Sequence, residues 1–74
     1  MQKPEMVAVD SSSIEAVGYV PDQQELYVRF AKSRATYVYY GVEKWEFEEF
    51  QQADSKGTYC NTRIKPRHPE YARL

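Results

Sequence analysis

Tyr27, Arg29 and Tyr40 are the side chains whose types and spacing point most directly to a ligand. Tyr27 and Arg29 lie two apart in Leu26-Tyr27-Val28-Arg29-Phe30, and Tyr40 closes the next aromatic run, Tyr37-Val38-Tyr39-Tyr40. Period-two alternation puts Tyr27 and Arg29 on one side of a strand, and Val38 and Tyr40 on one side of its neighbour. Aromatic rings beside an arginine on an open sheet can stack unpaired bases, at about 1–3 kcal/mol per base. The competing reading is an ordinary cross-strand aromatic pair, with Tyr27 lying over Gly18. A second constellation is cationic. Lys56, Arg63, Lys65 and Arg67, with His68 beside them, could neutralise phosphates. Against this, the same cations could be solvated or paired with Glu46, Glu48 and Glu49.

Covalent chemistry finds little support. Cys60 and His68 match no nucleophile–base spacing, and Pro66 lies between them. A lone cysteine of this kind reads as a small buried hydrophobe. One Cys and one His do not make up the four ligands of a structural zinc site. Glu43, Glu46, Glu48 and Glu49 read as a solvated helix face, because acid–base work by paired carboxylates needs a cleft that a chain this short does not build. No catalytic residue, metal or cofactor is expected.

The elements that must position these residues follow from periodicity. Ile14 to Val20, Glu25 to Ala31 and Ala35 to Tyr40 read as three strands. Pro21-Asp22-Gln23-Gln24 is the first turn, and Lys32-Ser33-Arg34 contains the second. Four residues in the first turn pair Tyr19 with Leu26 and Val17 with Val28. A two-residue second turn then sets Tyr37 and Tyr39 opposite the even positions of the middle strand, whereas an odd turn flips the third strand. The even reading collects Val17, Tyr19, Leu26, Val28, Tyr37 and Tyr39 on one apolar face together with Phe30. Ala16, Gly18, Tyr27, Arg29, Val38 and Tyr40 make the other. Glu43 to Asp54 reads as a helix, acidic at its start, with Phe47, Phe50 and Ala53 towards the sheet. Trp45 falls on roughly the opposite side and is expected at the sheet edge or exposed. Gly57 stops or hinges the chain, Thr58 to Ile64 makes a short second helix, and Pro66 and Pro69 end regular structure.

The expected fold class is therefore α+β: a three-stranded antiparallel meander packed by one helix, then a short second helix and a basic tail. Residues 1–8 form a flexible N-terminus, or a short edge strand through Val7-Ala8-Val9. Residues 9–65 form the domain and residues 66–74 the tail. At 74 residues there is no room for a second core, and a chain of this size buries only about 60–65% of its unfolded surface. Eleven aromatics partly compensate. The net charge of −1 is unevenly spread. Residues 1–54 carry five Lys/Arg against ten Asp/Glu, and residues 55–74 carry five against Glu70 alone. Such a tail either docks on the acidic helix of its own fold or reaches for an anionic partner. The single cysteine excludes an internal disulfide and fits a reducing, cytoplasmic setting. Residues 1–10 lack the apolar core of a signal peptide, and no 18-residue apolar run offers a membrane span.

The order of features resembles the KTSC domain family, a small domain named for its occurrence at the C-terminus of some lysyl-tRNA synthetases. The matching residues are Ser11-Ser12-Ser13-Ile14, Val17-Gly18-Tyr19, Leu26-x-Val28-x-Phe30, Tyr37-x-Tyr39, Gly41-Val42 and Ser55-x-Gly57-x-Tyr59-x-Asn61-x-x-Ile64. They cover about residues 9–65. Three positions depart from the family pattern: the second turn has no glycine, Glu43 stands where Pro is common, and Cys60 stands where an aromatic is usual. The resemblance implies a βββα-type domain and no particular reaction. Its synthetase link makes nucleic-acid binding the attached expectation. Ser11, Ser12, Ser13 and Asn61 read as structural latches that satisfy loop backbone groups. The function expected is a small non-enzymatic binding module. Its partner is RNA or single-stranded nucleic acid, through the Tyr27/Arg29/Tyr40 face and the basic segment. The alternative is a host protein, bound by a phage or mobile-element module through Trp45 and the acidic helix. The sequence is silent on oligomeric state.

Overall fold

Val17 pairs with Val28 and Tyr19 with Leu26, while Tyr37 and Tyr39 pair with Val28 and Leu26. This is the even register, and it puts the expected apolar set on one face. The computed structural model describes residues 4–74. The part of the flexible-terminus expectation that falls on residues 1–3 lies outside the described residues.

The sheet is larger than a three-stranded meander, and that expectation is corrected. It has five antiparallel strands in the order β1-β2-β3-β4-β5. These are β1 (Val7–Ala8), β2 (Ile14–Val20), β3 (Glu25–Phe30), β4 (Thr36–Tyr40) and β5 (Tyr71–Arg73). The two additions are the outer strands. β1 is the short edge strand that the second reading of the N-terminus expects through Val7-Ala8-Val9; it has two residues and pairs Val7 with Val17 and Ala8 with Ala16. β5 comes from the segment expected to be an irregular tail. It is held to β4 by the Tyr40 N–H on the Glu70 carbonyl (3.2 Å) and the Leu74 N–H on the Thr36 carbonyl (2.8 Å). Beyond the Arg29–Thr36 pair the Phe30 N–H still reaches the Ala35 carbonyl (3.0 Å), which leaves residues 31–34 as the turn, four rather than two, so the even register survives. Arg34 takes the left-handed position there (φ 58°), where a glycine would be at ease.

Helix α1 (Lys44–Gln52) begins with a capping box. The Glu43 side chain accepts from the backbone of Glu46, and the Glu46 carboxylate accepts from the Glu43 N–H at 3.1 Å. Phe50 is fully buried, and Phe47 stacks on Tyr19 with centroids 4.7 Å apart. α2 (Lys56–Tyr59) runs without a break through a π-helical turn (Cys60–Ile64) into α3 (Lys65–Arg67). Pro66 was expected to end regular structure, yet it sits inside α3. The π turn, in which the Lys65 N–H reaches back to the Cys60 carbonyl, widens the helix just before the proline ring. Ile14, Leu26, Val28, Val42, Phe50 and Ile64 form the core between sheet and helices.

Candidate functional site

Little of the site expected on the outer sheet face is presented there. Tyr27 is only 4% exposed, and its hydroxyl donates to buried Glu25 at 3.2 Å. Burial, then the Glu25 charge, raises its pKa. The N-terminal segment covers this face: a Cβ on Gly18, the partner of Tyr27, would lie 2.9 Å from Pro4 Cγ and 3.1 Å from the Glu5 carbonyl oxygen. Arg29 is held by Glu15 (3.3 Å) and Thr36 (3.4 Å). Tyr40 is 38% exposed. The three do not form an open stacking platform.

The cations separate as well. Lys56 donates to the Ala53 carbonyl at 3.2 Å and so closes the end of α1. Arg63 is exposed. Arg67 lies over the Trp45 ring, 5.5 Å from its centroid, and pairs with Glu46 at 3.6 Å. Trp45 is 48% exposed, as its helical phase predicts, and its indole N–H donates to Glu43.

Glu46 is not part of a solvated helix face. It is 3% exposed and accepts from His68 Nε2 at 2.8 Å. Burial works against its ionisation. The His68 hydrogen bond, the Glu43 N–H and the charges of His68 and Arg67 outweigh that, so its carboxyl sits below the usual range. This bond ties the chain after α3 to α1. The Cys60 thiol is fully buried, and burial pushes its pKa up to about 11, against any role as a nucleophile. The Tyr59 hydroxyl donates to Glu49 at 2.8 Å; burial and then that carboxylate push its pKa up to about 12. Among the described residues no cluster of His, Cys, Asp or Glu could hold a metal ion.

What the fold does build is a groove on the inner sheet face, beside α3. β5 extends that face beyond the reach of the helices. Its Tyr71 is 58% exposed and lies 5.9 Å from both Tyr37 and Tyr39. Phe30 packs edge-on to Tyr37 at 5.7 Å. These rings floor a cavity of about 400 Å³ walled by Lys65, His68 and Pro69. A second cavity of about 460 Å³ adjoins it, lined by Ser12, Ser13 and Ser33 with Lys32, Asn61 and Lys65. Phe30, Ser33 and Lys65 belong to both, so the two are halves of one groove. Lys65 Nζ lies over the Phe30 ring, 5.2 Å from its centroid. Neither half is lined by an Asp or Glu, although the chain carries eleven. The α2 end of the groove is packed tightly, because a Cβ on Gly57 would fall on the Ser13 hydroxyl. The latch reading of the serines fits in part: Ser11 Oγ accepts from the Ser13 and Ile14 N–H groups, each at 3.3 Å.

Of the residues that the sequence offers as candidate ligand contacts, the groove takes Lys65 and the neighbouring His68. Phe30 and Tyr37 read from the sequence as core residues, and Tyr71, behind two prolines, belongs to no periodic pattern. The signal available was the phase of Tyr37, which shares a face with Phe30 at the end of the sheet away from Phe47.

The match to known proteins agrees with this architecture. A family model for the KTSC domain matches residues 10–68. The chain belongs to the KTSC domain family. A crystal structure of a KTSC domain protein from Yersinia pestis superposes with a TM-score of 0.89 at 30% identity, over 97% of this chain and 99% of that one. A protein of Tsukamurella paurometabola is 45% identical over 62 residues, which is 84% of this chain and 91% of that protein. An uncharacterised protein of Stutzerimonas stutzeri is 41% identical over 68 residues, 92% of this chain and 94% of its own length. This KTSC domain thus shares its fold and nearly its whole length with its relatives.

Proposed function

We propose that this KTSC domain is a binding module for single-stranded nucleic acid, RNA above all, and that the inner-face groove is where it binds. One observation carries the reading: a ring-floored cavity shares Phe30, Ser33 and Lys65 with a neighbouring cavity lined by lysines, serines and an asparagine, and no carboxylate residue lines either. Bases need a π-face and phosphates need cations, and single-strand binders place the two side by side. The body's acidity is compatible with this, because Glu43, Glu48 and Glu49 stand on the exposed side of α1. A protein partner at Trp45 is the weaker reading. Its indole N–H is already bonded to Glu43, and Arg67 covers its ring.

The test is a titration of short single-stranded RNA at about 50 mM salt, repeated as salt rises. Binding should weaken with salt. Lys32→Gln should lower the salt slope by about 0.7, the value for one phosphate contact on a single strand. Tyr71→Ala should cost about 1–3 kcal/mol and leave the slope unchanged. Absence of binding at high micromolar protein sinks the reading.

A further inference from the structure

The two halves of the groove differ in chemistry and meet at shared residues. The first half offers the exposed ring of Tyr71 with Tyr37 beside it. The second is lined by Lys32, Lys65, Ser12, Ser13, Ser33 and Asn61, residues that carry two ammonium groups, three hydroxyls and an amide. Ser33 Oγ already accepts from the Ala35 N–H at 3.2 Å, which leaves its own hydrogen to donate outward. So many donors around one small space exceed what a carboxylate's two oxygens use, and they suit a phosphate. Lysines bind phosphate as point charges. Readers of phosphorylated peptides rely on Arg clusters, and no arginine lines this cavity. Each half, at about 400 and 460 Å³, lies within the size range of small-molecule sites.

We propose that the groove is a one-nucleotide site, with the phosphate held between Lys32, Lys65, Ser12, Ser33 and Asn61 and its base laid on Tyr71. This rests on the nucleic-acid reading and narrows it. The unit recognised is a single phosphate-bearing nucleotide, and a longer strand gains affinity mainly by passing its neighbouring phosphates near exposed cations. Lys65 is the hinge of the arrangement, since it borders both halves. In the free protein its charge rests on the Phe30 ring, ready to be drawn to the phosphate.

The experiment is an amide-resolved NMR titration of the full chain at low salt. Its probes are uridine monophosphate, uridine, inorganic phosphate, phosphotyrosine and a short oligo-uridine. Uridine monophosphate should bind at least about tenfold tighter than uridine, and inorganic phosphate should compete with it. Lys32→Gln should bring uridine monophosphate towards the weak binding of uridine. Tyr71→Ala should weaken both by about tenfold while leaving inorganic phosphate unaffected. Equal binding of uridine and uridine monophosphate overturns the phosphate seat. Phosphotyrosine binding more tightly than the nucleotide overturns the ligand class. Oligo-uridine binding without any binding of the mononucleotide overturns the one-nucleotide site and keeps the nucleic-acid reading. If neither binds, both fall.

Discussion

Replacing Glu46 with Gln should cost the fold about 1–2 kcal/mol at neutral pH. Glu46 has three partners: the Glu43 N–H at 3.1 Å, His68 Nε2 at 2.8 Å and Arg67 at 3.6 Å. A Gln carbonyl oxygen keeps the capping bond to Glu43. What is lost is the charge in the His68 bond. Hydrogen bonds to charged groups are worth about 1.5–3 kcal/mol and neutral ones about 0.5–1.5, so the difference is about 1 kcal/mol. Arg67 is half-exposed, so its pairing adds no more than about 0.5 kcal/mol. Glu46→Ala removes the cap as well, for a total of about 3 kcal/mol. For 74 residues that is a large part of a total of about 4–11 kcal/mol. The pH dependence has a definite sign. The folded Glu46 carboxyl lies below its usual 4.5, so its stabilisation is present above that value and is lost as pH falls through the lowered one. Urea denaturation followed by Trp45 fluorescence, at neutral pH and in steps towards acid, measures both effects. A gap between wild type and Glu46→Gln under about 0.3 kcal/mol at neutral pH, or one that widens in acid, would refute the reasoning.

Three further substitutions probe the fold. Phe50→Ala should cost about 3–5 kcal/mol in the same denaturation assay, because its ring is fully buried between α1 and the sheet; a loss under about 1 kcal/mol would mean that the helix covers the core by some other face. Arg34→Gly should raise the unfolding free energy by up to about 1 kcal/mol, since it removes a left-handed strain of about 1–2 kcal/mol against the added freedom of the unfolded chain; a destabilised variant would contradict the positive φ. Gly57→Ala should cost about 1–3 kcal/mol by driving a methyl group into the Ser13 hydroxyl; the double change with Ser13→Gly should recover most of it, and no recovery would locate the strain elsewhere.

The sheet's register was legible in the sequence because the apolar face demands it. One slipped residue would have sent Leu26 and Val28 outward. Of the two outer strands, β1 was legible only as one of two readings of the N-terminus, and β5 was not legible. Val7–Ala8 is too short to show a period, and Tyr71–Arg73 follows two prolines and pairs through backbone groups that no side-chain pattern reports. The covering of the outer face was hidden for a related reason. Tyr27 and Arg29 do share a face, but alternation says nothing of a third layer, and residues 4–6 lie across Gly18. Glu46 was hidden by its type. An acidic residue near a helix start reads as solvated, and only the fold brings His68 beside it. The groove was illegible for the same cause: its floor, its wall and its lysines come from β3, the turn after it, β4, α3 with the residues that follow, and β5, and β5 was unseen.

The most direct measurement of the central claim is a map of amide shift changes as short single-stranded RNA is added at low salt. The account predicts changes at Ser12, Ser33, Lys65 and Tyr71, with those groove signals saturating together at one Kd and weakening together as salt rises. Changes centred on Trp45, or on the outer face around Tyr40 with the groove silent, would contradict it.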